Sequence, residues 1–113
     1  MIDAQGIAKF FEDNPNFKPA RLTFIKPTIE AGVYACCALS AAYLTEKGLE
    51  AKDRLMNAET PSDFIMKEMG LGKHFLWGVV DGWDYYCDAD WDNEEYQKGL
   101  SLGREARELC GVW

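Results

Sequence analysis

Residues 31–43 read AGVYACCALSAAY, a stretch that has no charged side chain and consists mainly of small residues. A helix with this sequence would be apolar nearly all round, and such a helix belongs at the centre of a bundle, where its neighbours approach closely. Thr28 precedes the stretch as a candidate N-cap, and Gly48 follows it as a stop signal. The pattern predicts a central helix from Thr28 to about Lys47.

Start and stop signals on both sides of this helix predict further helices. Asp3 is a candidate N-cap for the first, Thr60 for the fourth, and Asp92 with Glu95 forms a capping box for the last. Gly111 is the stop signal of the last helix. The predicted helices span residues 4–12, 29–47, 49–57, 61–69, 73–87 and 93–110.

The segment 14–27 contains three prolines and is predicted to be a connecting loop. Residues 22–25 have an extended pattern, but no second strand is evident, and an isolated strand leaves its backbone groups unpaired. We therefore expect an ordered loop that lays Phe17, Phe24 and Ile25 on the core. The fold prediction is an all-α, single-domain compact bundle of five or six helices over residues 1–113.

Two of the predicted helices carry paired glycines one turn apart. The pairs are Gly78 with Gly82 and Gly99 with Gly103. Glycine inside a soluble helix costs about 0.5–1 kcal/mol relative to alanine, so four of them need a compensating gain. Close helix–helix approach supplies such a gain and predicts GxxxG-type packing. A glycine loop that holds phosphate is the alternative, but it requires a strand–loop–helix context.

The charge of the chain is unevenly distributed. Residues 1–57 hold seven acidic and seven basic side chains, whereas residues 58–113 hold twelve and five. The net charge of −7 therefore comes from the C-terminal half. Its densest part is residues 81–95, DGWDYYCDADWDNEE, which places seven carboxylates among four aromatic rings. Such an asymmetry is informative about partners.

A helical wheel over residues 74–88 separates an apolar face from a mixed face of acids and aromatic rings. The apolar face, predicted to be core, consists of Phe75, Leu76, Val79, Trp83, Tyr86 and Cys87. Exposed aromatic rings among charges are typical of interface hot spots. The mixed face and the loop after it give a candidate partner-binding surface: His74, Trp77, Asp81, Asp84, Tyr85, Asp88, Asp90 and Trp91. A solvated polar face without a binding role is the alternative.

The leading functional prediction is a small acidic, non-enzymatic protein that docks on a basic partner protein. Direct nucleic-acid binding is disfavoured, because a chain at −7 without a basic cluster is repelled by phosphate. Carboxylates on a rigid scaffold can instead imitate a phosphate row and occupy a basic nucleic-acid-binding cleft. In size and charge, though not in any motif, the chain resembles small acidic inhibitors of restriction and CRISPR machinery.

The first alternative function is a calcium- or metal-responsive helix–loop–helix module. Asp88, Asp90 and Asp92 match positions one, three and five of a calcium loop. The twelfth position, which requires a bidentate Glu, is Gly99, so the leading prediction includes no metal and no cofactor.

The second alternative is a small enzyme centred on His74, the only histidine. No serine or cysteine lies beside it in sequence, although the fold could bring Cys36 or Cys37 near it. All four cysteines are predicted to be reduced and mostly buried, because their spacing matches no metal or redox motif. No signal peptide or membrane span is recognisable, so the expected location is cytoplasmic.

Overall fold

A computed structural model describes residues 2–85 and 92–113 of the chain. Helices dominate these residues, but a small mixed sheet accompanies them, so the protein is not purely all-α. In chain order the elements are α1 (Ala4–Asp13), β1 (Phe17–Pro19), β2 (Ile25–Pro27), β3 (Tyr34–Cys36), α2 (Ala38–Lys47), a 3₁₀ turn (Leu49–Ala51), α3 (Lys52–Met56), α4 (Pro61–Met69), α5 (Lys73–Asp84) and α6 (Glu94–Cys110).

The sheet corrects both the all-α prediction and the predicted start of the central helix. The first half of the stretch assigned to that helix contains β3, which is the middle strand of the order β1-β3-β2. β1 pairs with β3 in parallel, with Phe17 opposite Tyr34. β2 pairs with β3 in an antiparallel sense, with Ile25 opposite Cys36. Residues 22–25, for which no partner strand was expected, thus lead into a paired strand.

A turn between β2 and β3 explains why the helix does not begin at Thr28. The backbone N–H of Thr28 and its hydroxyl both donate to the carbonyl oxygen of Val33, each at 2.9 Å. Gly32 has a φ of +79°, which a residue with a side chain rarely adopts. Val33 is β-branched and Tyr34 is aromatic, and both types favour a strand once neighbouring strands lie on both sides. Tertiary pairing therefore outweighs the helical pattern.

The central helix itself is confirmed over the shorter span of α2. Every residue from Ala38 to Leu44 is buried, which is what its apolar and small side chains predicted. Side chains of α1 and α5, including Ile7, Phe11 and Leu76, belong to the same hydrophobic core. The sheet lies before α2 in sequence, and Cys37 is the residue that joins β3 to the helix.

Several predicted helix boundaries are confirmed. The carboxylate of Asp3 accepts a hydrogen bond from the N–H of Gly6 at 2.6 Å, which makes Asp3 the N-cap of α1. α4 and α6 end at glycines in the left-handed conformation, since Gly70 and Gly111 both have a φ of +66°. These glycines satisfy the last carbonyl groups of their helices, as C-terminal glycines commonly do.

Two boundaries around the acidic stretch differ from the prediction. The N-cap of α6 is Asn93 and not Asp92, because the Asn93 side chain accepts the N–H of Tyr96 at 3.0 Å. Helix α5 ends at Asp84, earlier than the predicted Cys87, because Tyr85 adopts a left-handed φ of +67°. The core positions predicted at Tyr86 and Cys87 lie outside the described residues.

Helices α5 and α6 pack side by side through their glycines and run parallel. Gly78 lies against Gly99, and Gly82 lies against Gly103, so residue numbers increase in the same direction along both helices. A Cβ atom added to Gly78 would lie 3.1 Å from the Cα of Gly99. Because the helices are parallel, α5 ends and α6 begins at opposite ends of the pair.

The contact between the two helices is made by backbone atoms. A Cβ at each glycine would collide with a carbonyl oxygen of the other helix; for Gly78, Gly82, Gly99 and Gly103 the oxygens are those of Tyr96, Leu100, Phe75 and Val79. The hydrogen that takes the place of each Cβ points towards the same oxygen, a geometry typical of Cα–H···O contacts at helix interfaces.

Candidate binding site on helix α5

His74 and Trp77 lie on the exposed side of α5, as the helical wheel predicted. His74 is exposed, and Trp77 keeps 37% of its surface accessible. An indole that is one-third exposed on a helix between charged neighbours has the character of a contact residue, because aromatic anchors are enriched in protein interfaces. Among the described residues of the predicted surface, these two and Tyr85 are exposed.

Asp81 is tied to helix α6 instead of projecting freely from the predicted surface. The hydroxyl of Tyr96 donates to Asp81 Oδ2 at 2.6 Å, and the Asp81 side chain is only half-buried. Asp81 therefore helps to hold α5 against α6.

Asp84 does not lie on the exposed face, which corrects its place on the predicted surface. It is only 5% exposed, and its Oδ1 accepts the N–H of Leu22 at 3.0 Å. Burial raises the pKa of the Asp84 carboxyl, whereas the Leu22 hydrogen bond and the Arg21 guanidinium lower it by less. The wheel failed here because the loop between β1 and β2 folds over the end of α5, an effect that helical periodicity does not contain.

Tyr85 is exposed, as predicted, but it is not on the helix. It retains 66% of its surface, and its left-handed φ of +67° places it after the last residue of α5. The guanidinium carbon of Arg107 lies 4.3 Å from the centre of the Tyr85 ring, within the range of a cation–π contact. Asp88, Asp90 and Trp91 lie outside the described residues, so their part in the predicted surface stays a prediction.

A cavity of about 210 Å³ opens beside Trp77. It lies where the loop between β1 and β2 and the start of α2 meet α5. We call it the Trp77 cavity, and its lining residues are Leu22, Thr23, Phe24, Cys37, Ala38, Leu39, Trp77, Val79, Val80, Trp83 and Asp84. Most of these side chains are apolar, as is usual for pockets that bind small molecules or anchor side chains.

The loop between β1 and β2, which lines one side of the Trp77 cavity, is held by hydrogen bonds from Cys37 and from α5. The N–H of Cys37 donates to the carbonyl of Phe24 at 3.0 Å. The indole N–H of Trp83 donates to the carbonyl of Ala20 at 2.7 Å. The cavity is therefore built by the sheet that the sequence did not predict, and so no local pattern pointed to Leu22 or Phe24 as site residues.

The C-terminal end of α5 is held by side chains from distant parts of the chain. Each donates to one of the last carbonyl oxygens of the helix: Arg107 Nη1 to Gly82 at 3.0 Å, Trp113 Nε1 to Trp83 at 2.7 Å and Arg21 Nε to Asp84 at 2.7 Å. A helix leaves these oxygens without partners, so the three contacts supplement the left-handed C-cap at Tyr85, whose N–H donates to the carbonyl oxygen of Asp81. Sequence reasoning missed all three donors, because up to 63 residues separate them from their acceptors.

Three cysteines lie among the described residues, and all three are free thiols. Cys36 is in β3 and Cys37 is the N-cap of α2, so these two are not neighbours within a helix as predicted. Burial raises the pKa of all three thiols above the ordinary value. Cys87 lies outside the described residues.

We expect Cys36 and Cys37 of the native protein to react with iodoacetamide far more slowly than Cys110. The first two are buried and Cys110 is only half-buried, and alkylation requires an accessible thiolate. Peptide mass spectrometry after a timed exposure measures each cysteine separately, and labelling in denaturant provides the control. Equal native rates at all three positions would contradict this burial.

Metal-ligating side chains do not cluster in the part of the chain that the structure describes: no group of three or more His, Cys, Asp or Glu is arranged to hold an ion there. Of the proposed calcium loop, Asp92 is described and is exposed, whereas Asp88 and Asp90 are not described. Among the described helices, none is both long and apolar enough to cross a membrane.

Comparison with known proteins gives no relative. No protein-family model, curated protein or solved structure matches the chain.

Proposed function

We propose that the protein is a small acidic, non-enzymatic binding protein that docks on a basic partner protein. The observation that carries the proposal is the Trp77 cavity, which lies beside a partly exposed indole on α5. A concave, largely apolar site next to an aromatic side chain is the usual anchor point of a protein interface. The C-terminal half of the chain, to which α5 belongs, supplies the net negative charge.

Exposed carboxylates lie on the helix that packs against α5. Asp92, Glu94 and Glu95 are exposed at the start of α6. Because Gly99 lies against Gly78 and the two helices run parallel, this first turn of α6 lies beside the first turn of α5, which contains His74. A basic partner that approaches the start of α5 therefore meets three carboxylates, which favour association through long-range attraction.

A narrower form of the proposal is inhibition by imitation of nucleic acid. A partner whose basic cleft normally holds phosphates would be attracted by the same carboxylates. The net charge of −7 and the sequence pI of about 4.6 favour binding to a basic partner protein. The same charge opposes direct contact with nucleic acid.

The two alternative functions rest on sequence pattern alone. His74 is exposed and is not among the residues that line the Trp77 cavity, so it does not share that pocket with the buried Asp84 carboxylate. The calcium alternative depends on Asp88 and Asp90, which are not described.

The test uses two variants with equal changes of charge. The first replaces Asp92, Glu94 and Glu95 by Asn, Gln and Gln. The control replaces Glu30, Glu50 and Glu59 by Gln, since these are exposed and belong neither to the predicted partner-binding surface nor to α6. Proteins captured from the native host are identified by mass spectrometry, and the association rate of a captured partner is measured at several salt concentrations.

We expect the first variant to associate more slowly, with a weaker salt dependence, and the control to resemble the parent more closely. Charges at the rim of an interface act mainly on the association rate. If both variants bind as the parent does at every salt concentration, the acidic surface serves only solubility and the proposed function is wrong.

A further inference from the structure

The Trp77 cavity has one charged group in its wall. Of the eleven described residues that line it, only Asp84 is ionisable as an acid or base at neutral pH; the others are apolar apart from Thr23 and the thiol of Cys37. A carboxylate in apolar surroundings is unfavourable unless cations or donors satisfy it, and Asp84 has the Leu22 N–H and the charge of the nearby Arg21. Asp84 therefore makes the cavity selective by charge as well as by shape.

The carboxylate of Asp84 is only partly satisfied within the protein. Oδ1 accepts the N–H of Leu22 at 3.0 Å, whereas Oδ2 has no hydrogen-bond donor among the described residues and is not one of their fully buried atoms. The nearest guanidinium, that of Arg21, uses its Nε on the backbone oxygen of Asp84. Burial raises the pKa of the Asp84 carboxyl, and the Leu22 N–H and the Arg21 charge offset this only in part.

The apolar walls of the cavity suit the stem of a cationic ligand. Trp77 and Trp83 provide indole rings, and Val80, Phe24 and Leu22 provide aliphatic and aromatic surface. Guanidinium groups stack on aromatic faces, pair with carboxylates and are more weakly hydrated than ammonium groups. A guanidinium on a short alkyl chain therefore matches the cavity better than an ammonium on the same chain.

We propose that the Trp77 cavity receives an arginine side chain of the basic partner, with the guanidinium on Asp84 and the stem against Trp77. This assignment rests on the proposed function, because it identifies the anchor of the same docking surface. It gives Asp84, which the sequence placed on an exposed face, a binding role at the base of a cavity.

The direct test needs no partner. n-Butylguanidinium is titrated into the isolated protein, and binding is followed by the indole N–H resonances of Trp77 and Trp83. A fragment of this size is expected to bind with a dissociation constant on the order of 1 mM. n-Butylurea has the same shape without the charge, and n-butylammonium has the charge without the planar fork. We expect n-butylurea to bind at least ~10-fold more weakly, and n-butylammonium to fall between the two.

Two variants separate charge from shape. Asp84→Asn keeps an oxygen that can accept the Leu22 N–H, so the fold is retained, but binding of n-butylguanidinium is expected to weaken at least ~10-fold. Val80→Phe fills the cavity and is expected to weaken binding of every probe. Asp53→Asn, an exposed substitution of the same kind, is the control and is expected to bind like the parent.

The outcomes are distinguishable. Equal binding of n-butylguanidinium and n-butylurea, an unchanged affinity in Asp84→Asn, or no response of Trp77 and Trp83 to any probe would overturn the arginine assignment. If n-butylguanidinium binding depends on Asp84 but partner binding ignores the charge variant of α6, the cavity assignment holds and the proposed function fails. If partner binding depends on those charges and ignores Asp84→Asn, the cavity assignment alone fails.

Discussion

Replacing Gly82 by Leu is expected to lower the free energy of unfolding by about 3 kcal/mol or more, because overpacking of a tight contact costs about 1–3 kcal/mol and here the obstacle is backbone. A Cβ atom at this position would collide with the carbonyl oxygen of Leu100 and would lie 2.9 Å from the backbone nitrogen of Arg104. Backbone atoms of a helix cannot rotate away as a side chain can. The two helices must separate, and separation also breaks the Cα–H···O contacts of the other three glycines.

Thermal and urea unfolding of Gly82→Leu measure the effect, and Gly72→Leu is the matched control. Gly72 precedes α5, has a negative φ of −74° and would meet nothing within 4 Å. Its replacement should cost no more than about 1 kcal/mol, the scale of an N-cap preference. Equal stability of the two variants would show that the glycine contact between α5 and α6 contributes little to the fold.

The glycine pairs show what spacing in a sequence does and does not contain. Gly78 and Gly82 on one helix and Gly99 and Gly103 on another signal close packing, because glycine inside a helix requires a compensating contact. Their spacing is the same in either direction, so it does not determine whether the helices are parallel. The parallel direction is a property of the folded structure, in which Gly78 lies against Gly99 and Gly82 against Gly103.

Helix ends were predictable wherever the signal lies within a few residues. Asp3, Pro61, Gly70 and Gly111 all act within one turn of the chain, through capping bonds or a fixed backbone angle. The small sheet was not predictable in this way. Its middle strand, β3, is stabilised by partners up to 17 residues away, and its apolar residues equally fit a buried helix.

Within the candidate site, too, the features set by local sequence were predictable and those set by distant residues were not. The exposure of His74 and Trp77 follows from helical periodicity, which local sequence contains. The burial of Asp84 depends on Leu22, which is 62 residues away in sequence. Charge density alone therefore overestimates the exposed acidic surface, since Asp81 and Asp84 are engaged by Tyr96 and Leu22.

Replacing Arg107 by Ala is expected to lower the free energy of unfolding by about 2–3 kcal/mol, because it leaves a buried carbonyl without its charged donor. Arg107 is only 9% exposed, and its guanidinium donates to Gly82 at the end of α5 while it lies over the ring of Tyr85. The substitution also removes the packing of the aliphatic stem. The end of α5 should then open more readily than the rest of the helix.

Arg104→Ala is the matched control, because Arg104 lies on the same helix but is exposed, and substitutions at such positions usually change stability by no more than about 0.5 kcal/mol. The backbone N–H of Tyr85 donates to the carbonyl oxygen of Asp81, so its hydrogen exchange reports on the end of α5 separately from global unfolding. Faster exchange there in Arg107→Ala, with Arg104→Ala unchanged, is the expected result. If both variants unfold at the same temperature and exchange alike, then Arg107 does not hold the helix end, and the position of Asp84 at the base of the Trp77 cavity must depend on Arg21 and Trp113 instead.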